Sequence, residues 1–489
     1  MRLNQISLSR PGRSARLPEY DRSRLSPGMI HLGLGGFFRA HGVVYTDGVL
    51  ASDPQWGIVA ASLRSPETRD ALAPQDGLYT LAVRSGDDEQ LRVIGAIGRV
   101  LVAPEDPDAL LAAMADPRIR IVSLTITEKG YCHDPATGEL NEAHPDILHD
   151  LAHPASPRSA PGFIVEALSR RHAAGTPPFT LLSCDNLPSN GRVTRRIVSR
   201  FAQLRDADLA AFLEGDLACP STMVDRITPA TTDEDRTRIA ERLGVADAWP
   251  VVTEPFSQWV IEDHFPAGRP SWDTQGAEFV ADVEPYELMK LRLLNGAHSS
   301  LAYLGYLAGY ETVAQAMADP AFAAFTRGIM EEASPTLAMP AGTDLEAYKA
   351  ALLTRFRNPA LKHRTWQICM DGSQKLPQRL LGTVRQRLRE GAPFPHIALG
   401  IAGWMRYVTG SDENGRAIDV SDPLAAKLRS LSDKAGLTAE RLAPALLSLP
   451  EIFGTDLPAD PRFRGAVADA LGRLLSMGAR RSVAEVAKR

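Results

Sequence analysis

Four short apolar runs constrain this 489-residue chain more than any other feature, up to about residue 280. They are Met29–Leu32, Gly57–Leu63, Ile119–Thr125 and Phe179–Ser183, and helical patterns separate them. Strands alternating with helices predict a mostly parallel α/β sheet, doubly wound and covered on both faces. Ligands of such sheets bind beyond the carboxyl ends of the strands. From about residue 286 strand-like runs become rare. Tyr286–Tyr310, Leu345–Arg357 and Leu424–Ser432 read as helices separated by Pro, Gly and Asp breaks. The length also exceeds what one core ordinarily serves. Two domains are expected, an α/β one over residues 1–283 and a mainly α-helical one over 284–489. Pro266–Pro270 is expected in a connecting loop near the boundary.

Charge narrows the function classes. The formal net charge is -5, which argues against a nucleic-acid surface. No apolar run approaches the roughly 20 residues that a bilayer requires. The basic N-terminal stretch has no apolar core of the signal-peptide kind, so a cytoplasmic location is expected. Cys132, Cys184, Cys219 and Cys369 are widely spaced, with no C-x-x-C pair. Free thiols are expected, and neither a disulfide framework nor a zinc site.

The first apolar run leads into Gly33-Leu34-Gly35-Gly36-Phe37-Phe38-Arg39. A strand, a glycine turn and a helix in succession suit a dinucleotide. Gly33 allows the sharp turn. Gly35 leaves room for a pyrophosphate against backbone N–H groups. The pattern is G-x-G-x-x-F, lacking the third glycine. The second run should deliver an acid to the adenosine ribose. It ends instead in Arg64-Ser65-Pro66-Glu67. Arg64 suits a 2′-phosphate and Glu67 a 2′-hydroxyl. NAD is favoured as cofactor, with NADP left open.

The segment Lys290-Leu291-Arg292-Leu293-Leu294-Asn295-Gly296-Ala297-His298 carries the chemistry. At about 100° per residue of α-helix, His298 falls near ~80° and Asn295 near ~140° from Lys290. Three polar groups thus share one side of an otherwise apolar helix. Alcohol oxidation needs a base for the hydroxyl proton and donors for the developing alkoxide. A lysine can be the base, and an amide and an imidazole the donors. Further polar groups follow the strands, at Thr127-Glu128-Lys129-Gly130-Tyr131, Ser183-Cys184-Asp185-Asn186 and Val224-Asp225-Arg226-Ile227.

These segments, with Phe37, Arg39 and His41 of the glycine loop and Glu254-Pro255-Phe256, resemble the mannitol dehydrogenase family of polyol-specific long-chain dehydrogenases. The resemblance covers nearly the whole chain. It implies a Rossmann-type domain followed by a helical one. It implies that Lys290 is the general acid/base, that Asn186 and Asn295 form an oxyanion-type pair, and that His298 binds the reacting hydroxyl. Glu128 would tune or relay the proton, and Asp225 would position the substrate. Gly33, Gly35, Phe37, Arg39, Arg64 and Glu67 would serve the cofactor. The segments Thr127–Cys132, Leu294–Tyr306, His363–Gln367 and Asp371–Lys375 are similar to the family's sugar-acid branch. They imply hydride transfer between D-mannonate and D-fructuronate. Mannitol, arabinitol and altronate are the alternative substrates. A carboxylate needs a fixed cation, and the candidates are Lys129, Arg364 and Lys375. Members acting on mannitol commonly carry glycine where Lys129 stands. The expected partners are a small sugar acid or polyol, with no nucleic acid, membrane or metal, in a monomer or small homo-oligomer.

Overall fold

The computed structural model describes residues 2–8, 14–134 and 137–488. The chain forms two compact units, Met1–Glu284 and Pro285–Arg489. The loop at Pro266–Pro270 lies inside the first, between the strand Gln258–Glu262 and the turn Trp272–Gln275.

The first unit is built around five parallel strands: β1 (Pro27–Leu32), β2 (Gly57–Ser62), β3 (Ile97–Val102), β4 (Ile121–Leu124) and β5 (Thr180–Ser183). Their order is β3-β2-β1-β4-β5. Side chains alternate across a strand, and the packing follows. Ile30, Leu32, Val122, Leu124 and Leu181 pack with Phe163, Leu168 and Ile197. Met29, Ile58, Ala60, Ile121 and Leu182 pack with Phe38 and Val43 in a separate cluster. Burial on both faces explains why the strands read as continuous apolar runs rather than alternating ones. The strand order reverses direction at β1, between β4 and β2. Doubly wound sheets bind dinucleotides at this switch point.

Two further sheets lie in the same unit, and neither was expected from the sequence. One joins Ala15–Arg16, Asp88–Ile94, Tyr79–Ser85 and Val251–Thr253, with an antiparallel hairpin at its centre. The other joins Glu278–Val280, Gln258–Glu262 and Thr222–Asp225.

The second unit is helical. Its central helix, Gly296–Leu307, is buried at every position but Tyr306. Helices Pro320–Ala333, Pro395–Tyr407 and Pro461–Val486 pack around it. Its small residues permit close approach: a Cβ added to Gly400 of the facing helix would stand 2.3 Å from Ser300 Oγ. The predicted helices at 345–357 and 424–432 are Leu345–Phe356 and Ala425–Ala435. The predicted helix at 286–310 differs in kind. Glu284–Met289 and Gly296–Leu307 are α-helical, but Lys290–Asn295 between them is π-helical. No helix among the described residues is long and apolar enough to cross a membrane.

Candidate active site

The glycine turn follows β1 directly. Gly33 has φ +91, and a Cβ there would lie 2.2 Å from the Thr125 carbonyl oxygen. Only glycine takes that place without strain. Gly35 differs: it is exposed, and the nearest atom to an added Cβ is the Gly33 carbonyl oxygen at 3.9 Å. The open side of Gly35 thus fits a phosphate, while Gly33 is shaped by its neighbour strand. A buried network lies beneath the turn. His31 stacks on Phe38, ring centroids 3.3 Å apart, and hydrogen-bonds Ser123 Oγ and Thr125 Oγ1 at 2.9 Å each. Burial pushes the His31 pKa down to about 3, so the ring is neutral.

Of the other expected cofactor residues, Phe37 is half-buried and stacks on His41, while Arg64 and Glu67 are exposed beyond β2. Arg39 stands apart from these. It is 5% exposed, its guanidinium lies beside the Tyr79 and Trp249 rings, and it donates to the Trp249 carbonyl. Such contacts tie Arg39 to the fold, in the short helix that follows Gly35. Its partners stand 40 and 210 residues away, beyond the reach of a spacing argument.

Past β4 the chain carries Glu128 and Lys129, both exposed, in a short 3-10 turn Glu128–Tyr131. Thr127 enters that turn at φ +63 and Cys132 leaves it at φ +52. A β-branched residue at positive φ is a strained conformation that its surroundings must impose. Asp185, the residue after Cys184 beyond β5, imposes it. Its carboxylate accepts from the Ile126 N–H at 3.0 Å, the Thr127 N–H at 2.9 Å and the Tyr131 O–H at 2.8 Å. Sequence reasoning quoted Asp185 within a motif and assigned it no task. Asn186, its neighbour, is exposed. The loops bearing Glu128, Lys129 and Asn186 thus share one anchor.

Asp225 ends the strand Thr222–Asp225 and is buried. The two motifs around it are joined. Arg226 donates to the Glu254 and Ala40 carbonyls, and the Glu254 carboxylate accepts from the Ile227 N–H at 2.7 Å.

In the second unit Lys290 opens the π segment and is 9% exposed, and half-buried Asn295 closes it. The Gly296 N–H reaches back to the Leu291 carbonyl, five residues earlier. One residue is thereby inserted per turn, so the angles of a regular α-helix do not carry from Lys290 to His298. His298 is 7% exposed and stacks on Phe356 at 5.0 Å, with His363 at 4.7 Å. Burial first, then the nearby charges of His363, Arg379, Arg355 and Lys375, hold its pKa well below the usual histidine value. His298 is therefore neutral, and among the described residues its Nε2 has no hydrogen-bond partner. Burial pushes the His363 pKa down to about 4. Lys375 is half-buried and donates to the Ile368 carbonyl at 3.2 Å. Burial, then Arg379, lowers its pKa. Arg364 is exposed. Lys362 at φ +45 and Asp371 at φ +54 precede Arg364 and Lys375. Arg355, His363 and Arg379 were not singled out from the sequence, because two lie in separate helical segments and His363 in the loop before Thr365, and they converge only on folding.

The four cysteines are free. Among the described residues no three of His, Cys, Asp and Glu gather as metal ligands would.

Comparison with known proteins matches both units. The mannitol dehydrogenase Rossmann domain model matches residues 27–274, and the mannitol dehydrogenase C-terminal domain model matches 282–475. The D-mannonate oxidoreductase of Escherichia coli (strain K12) is 50% identical over 474 residues, 96% of this chain and 97% of the relative. A mannitol 2-dehydrogenase of Aspergillus fumigatus is 40% identical over 493 residues, 98% and 97% of the two chains. The solved Pseudomonas fluorescens mannitol 2-dehydrogenase, in ternary complex with NAD and D-mannitol, is 42% identical with a TM-score of 0.89, covering 100% of both chains.

Proposed function

The chain belongs to the mannitol dehydrogenase family of secondary-alcohol dehydrogenases, and from that premise we propose that it interconverts D-mannonate and D-fructuronate with a nicotinamide dinucleotide, NAD in preference to NADP. One observation carries the choice of a sugar acid over a hexitol. After burial, the basic groups Arg379, Arg355 and Lys375 help to depress His298, while His363, with its pKa at about 4, is neutral. A carboxylate gains from such surroundings, and an uncharged polyol does not. The 50% identity to a D-mannonate oxidoreductase supports the same choice.

Gly33, Gly35, Phe37 and Arg39, with Arg64 and Glu67 beyond β2, would hold the dinucleotide, whose nicotinamide supplies or accepts the hydride. In oxidation Lys290 takes the proton of the substrate hydroxyl, and in reduction it returns it. Asn186 and Asn295 donate amide N–H groups to the same oxygen as it gains charge. Neutral His298 binds the hydroxyl through its unpartnered Nε2. Glu128 relays the proton onward, and Asp225 holds the substrate in place. Lys129, Arg364 and Lys375 are the cations proposed for the acid end.

Initial rates with D-mannonate and D-mannitol, each with NAD and NADP, test this by nicotinamide absorbance. D-Mannonate with NAD is the expected best pair. Lys290→Ala should lose about 10²–10⁴-fold in turnover while retaining cofactor affinity. Better activity on D-mannitol, undiminished in Lys129→Gly, would replace the sugar acid by a polyol. Equal turnover in Lys290→Ala would remove the lysine from the mechanism.

A further inference from the structure

We infer that His31 is a positioning residue for the cofactor: it sets the glycine turn from below, through a directed chain of hydrogen bonds that ends on the Gly33 carbonyl. The inference rests on the cofactor reading above and adds the group that shapes the turn. His31 is fully buried in β1, with apolar Ile30 and Leu32 on either side in sequence. An apolar side chain would fill that place without the cost of burying a polar ring. Both ring nitrogens are used instead.

The count of protons fixes the direction of the chain. The Gly33 carbonyl can only accept, and the Thr125 O–H donates to it at 2.8 Å. Thr125 has no second proton, so its Oγ1 accepts at the 2.9 Å contact with His31 Nε2. The same nitrogen stands 3.3 Å from the Gly33 carbonyl oxygen, another contact that requires a donor. With Nε2 protonated, Nδ1 of the neutral ring accepts from the Ser123 O–H at 2.9 Å, nearer than the Ile30 carbonyl at 3.4 Å. The chain thus runs from β4 through β1 to the turn. The Gly33 carbonyl also accepts from the Gly35 N–H at 2.7 Å. Whatever aims that carbonyl therefore aims Gly35, whose open side fits a phosphate. The ring supports the following helix as well. It lies 6° from parallel to Phe38, and a Cβ on Gly42 would stand 2.4 Å from the Phe38 ring. Turn and helix rest on one imidazole.

The test titrates NAD and NADP into the full-length enzyme by calorimetry, with melting temperatures and steady-state kinetics alongside. His31→Phe keeps a ring against Phe38 and removes both nitrogens, and Thr125→Val keeps the shape and removes the hydroxyl. Each should raise Kd for the better cofactor roughly 3- to 30-fold. KM for that cofactor should rise in step, while KM for whichever of D-mannonate and D-mannitol is turned over should change less than about threefold. The double variant should bind no more weakly than the poorer single one, as members of one chain do. His31→Gln, which returns an N–H donor, should recover part of the affinity. An unchanged Kd in folded His31→Phe or in Thr125→Val would overturn the assignment while leaving the cofactor reading in place, and Thr125→Val decides alone if His31→Phe does not fold. A wild type that binds neither NAD nor NADP would overturn the reading and the assignment together.

Discussion

Replacing Asp185 by Asn should damage activity far more than stability. The carboxylate holds two backbone N–H groups, at Ile126 and Thr127, and the Tyr131 hydroxyl. An amide has one acceptor atom. Its best placement sets the carbonyl oxygen against Ile126 and Tyr131 and turns the NH2 toward the Thr127 N–H, a repulsive donor pair. One bond to a charged acceptor is lost, at roughly 1.5–3 kcal/mol. Thr127 sits at φ +63, and such a conformation stores on the order of 1–3 kcal/mol, which relaxes once the N–H is released. The two largely cancel, so global stability should fall by less than about 2 kcal/mol, with a melting temperature lowered by no more than roughly 4 °C. The turn carrying Glu128 and Lys129 loses the whole 1.5–3 kcal/mol that kept it in place, which at about 1.4 kcal/mol per decade lowers kcat/KM by roughly 10- to 100-fold. Thermal unfolding and steady-state kinetics on one preparation measure both. Unchanged kcat/KM beside a stability loss above about 3 kcal/mol would show that Asp185 serves the fold alone.

Other outcomes follow from the same geometry. Gly35→Ala meets nothing nearer than 3.9 Å and should keep its melting temperature while cofactor Kd rises, whereas Gly33→Ala, 2.2 Å from the Thr125 carbonyl oxygen at φ +91, should lose both; calorimetry with and without cofactor distinguishes them. Gly296→Ala should cost about 1–3 kcal/mol by overpacking, since its Cβ presses on the Arg379 carbonyl; an unaltered melting temperature would count against the contact. His298 and His363 both titrate below the usual histidine value, His363 at about 4. The unfolded chain therefore binds protons that the fold refuses, and stability should fall as pH drops below about 6.5, by up to roughly 1.4 kcal/mol per unit for each ring. Urea midpoints at several pH values should show this slope, and His363→Asn should reduce it.

Four strands of the central sheet were legible because each is a run of apolar residues buried on both faces. β3 and the hairpin Tyr79–Ser85 with Asp88–Ile94 were not, since Gly98, Arg99 and the hairpin's charges interrupt the pattern. The helical second unit was legible from its apolar patterning and its Pro, Gly and Asp breaks, but nothing in Lys-Leu-Arg-Leu-Leu-Asn distinguishes a π turn from an α turn. Lys290, Asn295 and His298 were therefore legible as neighbours along the chain, but not the turn geometry that sets their angles. The surroundings of Arg39 were not legible, because only folding brings Trp249 and Tyr79 to it. Asp185 was missed for the same reason: its work is done on a loop distant in sequence.

The wide turn at Lys290–Asn295 makes this stretch answer differently to the loss and to the gain of a residue. Deleting a single residue there would let the helix revert to its regular hydrogen-bond ladder, in place of the present reach from Gly296 back to Leu291. The helix from Gly296 onward would keep nearly its angle to Lys290, because a π turn spreads one extra residue over a single turn. Adding a residue would instead rotate that helix by about 100° and carry His298 out of line with Lys290.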